Sequence, residues 1–276
     1  MDKPLELEEI QKVNLETMKF ISKICDQEGI KYIIAYGTLI GAIRHKGFIP
    51  WDDDLVIMIP RPDYERLVKY FNDHQKELLP YRAMNMQNTK GYPHMITRIC
   101  DTRYRVVVDN ENECGMGLFI DCVCMDGCGN TLEVANNIMD SVKKYSHLIF
   151  LSQRKHLELG TTTKLKRKLM KPFAYFYAKI IGTKVLSNRL LSLVDTSLYA
   201  TSKYVACLIW PTYYNREILK KEYLEERILV DFEDAKFYAP RDYDGYLRQL
   251  YGDYMTPPPE KDRIYHHFYT AYRKER

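Results

Sequence analysis

Tyr36-Gly37-Thr38-Leu39-Ile40-Gly41-Ala42-Ile43-Arg44-His45-Lys46-Gly47-Phe48-Ile49-Pro50-Trp51-Asp52-Asp53-Asp54-Leu55-Val56-Ile57-Met58-Ile59-Pro60 is the stretch that decides the fold. Its last part, Leu55 to Ile59, is an apolar run closed by proline, the pattern of a central strand buried on both faces. Three consecutive aspartates stand at the entrance to that strand. An ionised carboxylate at the mouth of an apolar core has to be paired, hydrogen-bonded or bound to a cation. If the backbone is already extended at residue 52, Asp52 and Asp54 share a face and Asp53 points away. Two hard oxygen donors on one face suit Mg2+ or Mn2+. A solvated acidic turn capped by Trp51 would have the same spacing.

Upstream, Lys31 to Tyr36 reads as a short strand, and Gly37-Thr38 opens a helix that runs through Arg44. Backbone N–H groups at such a strand-to-helix turn, aided by the helix dipole, can hold a phosphate. Arg44, His45 and Lys46 place cations just before the aspartates. Residues 8 to 28 carry Ile10, Val13, Thr17, Phe20, Ile21 and Ile24 near a helical period, ended by Gly29. Pro62 to Leu79 reads as another helix, and Met95–Asp101, Arg105–Asp109 and Gly117–Val123 read as strands. Asp121 closes the apolar run Leu118-Phe119-Ile120. Alone it is a strand-end turn former, but beside Asp54 on a neighbouring strand it would complete a metal site suited to phosphoryl-type transfer.

The pattern predicts an α/β (α+β) fold with a mixed sheet core. Residues 1–130 form the core, 131–203 an inserted helical part, and 204–276 a return of short strands and turns that completes the core and the site. Composition narrows the function. A net charge of +4 in 276 residues is too small for a dedicated nucleic-acid binder. The opening MDKPLELEEIQKV has no basic region followed by an apolar run, no stretch reaches the length of a membrane span, and the cysteine count of seven is odd. A cytoplasmic setting is the expectation. Cys114, Cys122, Cys124 and Cys128 are read as reduced, buried thiols rather than a zinc site. His266 and His267 are candidates for phosphate contact or acid–base work, and Trp51 and Trp210 for stacking on a cationic head group. The basic stretch from 164 to 177, with Phe173, Tyr175 and Phe176 beside its lysines, reads either as a solvated helix or as a contact with anionic lipid.

The run from Tyr36 to Asp54 closely resembles the signature of the LicD family, the bacterial phosphocholine transferases related to fukutin. Gly117 to Asp121 is similar to the second acidic strand of that family. Tyr251-Gly252-Asp253-Tyr254-Met255 with Pro257, Pro258, Arg263 and His266 is similar to its C-terminal signature. The resemblance implies a nucleotidyltransferase-type core that uses magnesium to move phosphocholine from CDP-choline to a sugar of a teichoic acid or other lipid-linked surface glycan. Relatives move other CDP-linked groups, such as ribitol phosphate or sugar phosphates. By position it implies Asp52, Asp54 and Asp121 as metal-binding and catalytic carboxylates. Gly37 and Thr38 fall beneath the donor phosphates, and Arg44, Lys46, Arg263 and His266 are further substrate contacts. One position departs from the pattern: Val56 stands where the family has an aspartate ligand. The chain is then a transferase with a weaker metal site, or a metal-impaired protein that only binds ligand.

Overall fold

The computed structural model describes residues 3–158, 165–263 and 269–275, with the backbone alone at 165–167, 196, 197 and 262. Its first helix, α1 (Leu7–Glu28), begins with a reciprocal capping box between Glu6 and Glu9 and ends at Gly29 in the left-handed region, φ 62°. The face it buries carries Ile10, Met18, Ile21 and Ile24 together with two polar residues, Asn14 and Thr17. Asn14 has work to do in the site described below.

Next come β1 (Ile33–Ile34), α2 (Tyr36–His45), β2 (Val56–Pro60) and α3 (Arg61–Asp73), followed by β3 (Tyr81–Met84), β4 (Thr97–Asp101), β5 (Tyr104–Val108) and β6 (Leu118–Gly127). The main sheet runs β1-β2-β6-β4-β3, with β2 parallel to β6 and its other pairs antiparallel. It is the mixed sheet of an α+β protein. β6 is its spine, and of its ten residues Asp121 is the one that is not buried. Ile57 and Ile120 are fully buried, which stabilises the fold by about 1.5–3 kcal/mol for each such side chain. Arg61 forks onto Asp126 at 2.6 and 2.8 Å, a buried pair that fixes the start of α3 against the end of β6.

The helical stretch holds α4 (Leu132–Gln153), α5 (Leu165–Ile181) and α6 (Thr183–Leu191). Met139, Val142, Leu186 and Leu190 belong to the same buried cluster as the strands β2 and β6. The remainder supplies β7 (Tyr204–Ala206), β8 (Leu219–Lys220), α7 (Glu222–Glu225), the hairpin β9 (Arg227–Phe232) and β10 (Ala235–Pro240), α8 (Tyr243–Tyr251), and β11 (Tyr269–Arg273), which pairs with β5. The hairpin has a positioning role. Glu233 at its turn accepts the Phe48 N–H at 3.0 Å, and its own N–H reaches the Lys46 carbonyl at 2.7 Å, pinning the link between α2 and β2.

Two elements differ from the sequence reading. α3 stops at Asp73 rather than Leu79, because residues 74–78 fold into a turn on His74. β3 was not anticipated: Tyr81-Arg82-Ala83-Met84 lies at the sheet edge, where an outward arginine is tolerated and the apolar pattern is diluted.

Candidate active site

A cavity of about 870 Å3 opens between the first turn of α2, the aspartate run, strands β2, β4 and β6, and the end of α4. Its geometry starts with the backbone of the aspartates. Gln11 and Asn14 of α1 donate to the carbonyls of Asp52 and Asp53 at 2.7 and 2.8 Å, so a buried helix holds the run from behind. β2 begins only at Val56, so the strand alternation expected at residue 52 does not apply. Asp53 therefore does not turn away from its neighbours. It is fully buried, and carboxylate oxygens of Asp52, Asp53 and Asp54 lie within 4.8 Å of one another. Among the described residues this is the one converging group of metal-ligating side chains, and it contains no cysteine.

The crowding has an electrostatic cost. Burial, followed by repulsion from Asp53, Asp121 and Asp52, raises the Asp54 carboxyl well above the usual carboxylate range, and Arg98 offsets part of this. Burial also pushes up the Tyr269 hydroxyl, which is hydrogen-bonded to Asp53 and lies near Asp54. Asp121 sits on the neighbouring strand, with its N–H on the Leu55 carbonyl at 3.0 Å. In the sheet register Val56 is the partner of Asp121 on one side and Arg98 on the other. The Arg98 guanidinium binds Asp121 Oδ1 through Nε at 2.7 Å and lies over the Phe119 ring at 3.8 Å. Neighbouring strands thus carry a valine, a carboxylate and a cation side by side on the cavity floor.

The first turn of α2 faces the same floor. A Cβ built on Gly37 would lie 2.7 Å from Asp52 Oδ2, so only glycine lets helix and carboxylate approach this closely. The buried Thr38 hydroxyl accepts the Val56 N–H at 2.8 Å and locks the helix start to β2. The N–H groups of a first helical turn have no partner within the helix; that of Tyr36 reaches the Tyr246 hydroxyl at 3.4 Å, and such groups can otherwise serve an anion. Tyr36, with φ 51°, sends its phenol to Glu217 Oε1 at 2.7 Å, and Thr212 N–H binds the other oxygen at 2.9 Å. Burial pushes the Glu217 carboxyl up to about 7.

The cavity wall is aromatic and contains one buried charged cluster. Trp51, Phe119, Phe150, Trp210, Tyr213 and Tyr254 line it. His94 Nε2 and an Arg154 guanidinium nitrogen each stand 3.3 Å from the Glu111 carboxylate. Burial disfavours the Glu111 anion, but His94 and Arg154 outweigh it and hold that carboxyl below its ordinary value. Burial lowers the His94 imidazole, with the positive charge of Arg98 adding to the effect.

Of the residues singled out from sequence, Asp52, Asp54, Asp121, Gly37, Thr38 and Arg44 all line this cavity. Arg44 is held by the Tyr254 carbonyl at 2.7 Å. Lys46 is exposed beyond the far end of α2 and is not among the lining residues. Arg263 stands outside the lining set but covers the Trp51 ring at 4.7 Å, so that ring is already engaged by a cation. His266 and His267 lie outside the described residues. Cys122, Cys124 and Cys128 are buried free thiols, whereas Cys114, also free, is only partly buried because it lies in the loop before β6. Sequence reading missed Arg98, Tyr269, Glu217 and the His94–Glu111–Arg154 cluster. Only Arg98 gave a signal, as a charge inside the apolar strand Met95–Asp101.

A mixed sheet with a glycine turn opening a helix, beside carboxylates at the entrance to a parallel strand pair, is an arrangement able to hold phosphates. Residues 29–109 match the family described as LicD/FKTN/FKRP, nucleotidyltransferase domain. Over 98% of its length the chain is 29% identical to the lipopolysaccharide cholinephosphotransferase LicD of Haemophilus influenzae, 99% of which is covered. A 48-residue segment is 48% identical to an uncharacterized protein of Rickettsia prowazekii, covering 17% of this chain and 18% of that one. The same level of identity holds for an uncharacterized protein of Rickettsia typhi, over 16% of its length. By both comparisons the chain is similar to LicD proteins, over residues 29–109 by the family model and over nearly its whole length by the relative from Haemophilus influenzae.

Proposed function

We propose that this protein is a phosphotransferase that moves phosphocholine from CDP-choline to a sugar hydroxyl of a lipid-linked surface glycan precursor, such as a lipopolysaccharide or teichoic acid unit. The observation that carries this reading is the carboxylate cluster set against the first turn of α2 inside an aromatic-walled cavity. Phosphoryl-type transfer needs positioning and charge neutralisation more than covalent help from the protein. The donor set fits a hard divalent cation: close carboxylates raise the Asp54 carboxyl, and a cation would relieve that repulsion. Asp52 and Asp54 would hold Mg2+ or Mn2+, with Asp53 and Asp121 adjoining. When bound, such an ion offsets charge on the donor phosphate oxygens.

The chain's own groups do the rest. The α2 turn and Arg44 receive the diphosphate, and the aromatic wall accepts the trimethylammonium group by cation–π contact. The acceptor oxygen bonds to the β-phosphorus as the bond from that phosphorus to the bridging oxygen breaks. CMP leaves with the bridging oxygen, and the hydroxyl proton passes to a carboxylate of the cluster. Arg98 keeps a fixed positive charge beside the position where Val56 provides no ligand.

Incubation with a panel of CDP-linked donors and a glycan acceptor, read by mass spectrometry, tests this. CMP release and a phosphocholine mass gain on the acceptor, both dependent on a divalent cation and lost in Asp54→Asn, are the expected result. Binding of CDP-choline that ignores the cation, with no CMP from any donor, would establish the ligand-binding alternative, which Val56 and the Arg98–Asp121 pair favour.

The acceptor reading also places the protein at a membrane. No helix among the described residues is long and apolar enough to cross one. α5 instead displays Leu169, Phe173, Phe176 and Ile180, 61–83% exposed, at the i, i+4, i+7, i+11 spacing of a single face. Lys168, Lys171 and Lys179 lie on the same helix. This helix lies in the plane of an anionic leaflet on the cytoplasmic side, with the apolar face down.

A further inference from the structure

Behind the active-site cavity lies a second one of about 1110 Å3, between α3, residues 85–95, the end of α4, and α6. A shared wall separates the two. Along that wall successive residues face opposite ways: His94, Ile96, Arg154 and Trp210 line the active site, while Pro93, Met95, Gln153 and Ile209 line the second cavity. No residue is common to both linings, so the second cavity is a separate compartment.

Its chemistry differs from that of the first. Gln87, Asn112, Gln153 and Asn188 line it with primary amides that suit the hydroxyls of a sugar ring, whereas Asn85 is taken up by the Gln87 and Asn88 N–H groups and the Asn72 oxygen by Asn88. Gln153 is 9% exposed and its Nε2 has no hydrogen-bond partner. A buried amide N–H left unpaired has lost its water without a replacement. That cost is explained if a ligand oxygen completes the bond. The charges on the lining are biased. Arg61 is paired with Asp126, and Lys69 with Asp73. Lys90, Lys179 and Lys184 make no ion pair among the described residues.

We propose that this second cavity binds a phosphorylated oligosaccharide: the amides read the hydroxyls, Gln153 Nε2 donates to one of them, and the lysine rim meets the phosphate. This deepens the transferase reading and rests on it for the role, which is to hold a stretch of acceptor glycan remote from the reacting sugar. The rim favours an anionic glycan over a neutral one, and the apolar lining from Tyr92, Met95 and Ile209 can meet the less polar faces of its sugar rings.

The test uses the full chain and core oligosaccharide released from lipopolysaccharide by mild acid, in phosphorylated and dephosphorylated forms, with binding read by saturation-transfer NMR and calorimetry. The phosphorylated form should bind, dephosphorylation should weaken it about tenfold, and Gln153→Leu and Lys90→Glu/Lys184→Glu should each weaken it by a similar factor. Binding should survive Asp54→Asn and excess CDP-choline. Gln153→Leu removes an orphaned amide without opening a hole, so a merely structural Gln153 would give a protein at least as stable with unchanged binding, which would overturn the proposal. So would failure of both forms to bind, or binding abolished by CDP-choline. Loss of binding with transfer to a short acceptor intact would sink this inference alone. Binding in a protein that never releases CMP would sink the transfer reading alone.

Discussion

Val56 and Asp121 are register partners across the parallel β2–β6 pair, and Arg98 flanks the same aspartate from β4. The position at which the family resemblance implies a carboxylate therefore lies directly beside a second carboxylate whose charge is already met by a guanidinium at 2.7 Å. Two acidic residues there would repel unless a cation lay between them. With valine, the repulsion is absent and the arginine holds Asp121 in place without a metal.

Val56→Asp restores the missing carboxylate, and its effect depends on the ion. Without divalent cation the added charge, set beside Asp121 and near Asp54, should destabilise the fold by about 1–3 kcal/mol. With millimolar Mg2+ most of that loss should be recovered, and CMP release should rise by roughly tenfold. Thermal melts with and without Mg2+ measure the first effect. An equal drop under both conditions means that these carboxylates do not hold a cation.

Arg98→Met leaves Asp121 without its partner on a largely buried strand, and breaking such a pair costs about 3–5 kcal/mol. Adding Asp121→Asn should return most of that stability, since the charge left behind is then removed as well. A double-mutant cycle by urea denaturation settles it. Additive losses would show that the two side chains contribute independently.

The central strand and its acidic entrance were legible because a run buried on both faces leaves an unbroken apolar signature, and the aspartates interrupt it abruptly. The nearness of Asp121 to Asp54 was legible only as an option, and its register partner proves to be Val56, since register between strands more than sixty residues apart is fixed by packing. Lys46 shows where sequence proximity misleads. Gly37, Ile40 and Arg44 fall on one helical face and line the cavity, whereas position 46 is rotated by about 180° from Gly37 at roughly 100° per residue. Glu217 and Glu111 gave no signal. Neither stands in a strand or a long helix, and only the tertiary fold buries it.

Gly37→Ala isolates the close approach of α2 to Asp52. The position is helical, so alanine should leave stability within about 1 kcal/mol of the parent or raise it. Its methyl would lie 2.7 Å from Asp52 Oδ2 and displace that carboxylate. Divalent-cation affinity and CMP release should fall at least about tenfold while the melting temperature holds. Retained activity would show that Asp52 does not need its present place.

Glu217 predicts a pH dependence of stability. Its folded carboxyl titrates near 7, raised by burial from the ordinary 4.5. The folded state therefore binds the proton more tightly than the unfolded chain, and this group lowers stability as pH rises from about 4.5 to about 7, on the order of 3 kcal/mol in total. Glu217→Gln can still accept the Thr212 N–H and donate to the Tyr36 oxygen. Compared with the parent, the variant should gain stability between pH 5 and pH 8. Parallel melting curves across that range would rule out the burial argument.

The α5 stripe makes the membrane reading quantitative. Phe173 and Ile180 are 73% and 83% exposed, so replacing both with glutamate removes no contact with the core and should change stability by less than about 0.5 kcal/mol. On a vesicle the same change removes two inserted apolar groups and sets two negative charges against an anionic surface. Each lost insertion should weaken partitioning by tenfold or more, at about 25 cal/mol per Å2 of apolar area. Co-sedimentation with phosphatidylglycerol vesicles should therefore fall to background in Phe173→Glu/Ile180→Glu, while CMP release with a soluble acceptor stays unchanged. Undiminished sedimentation would mean that this face does not meet lipid.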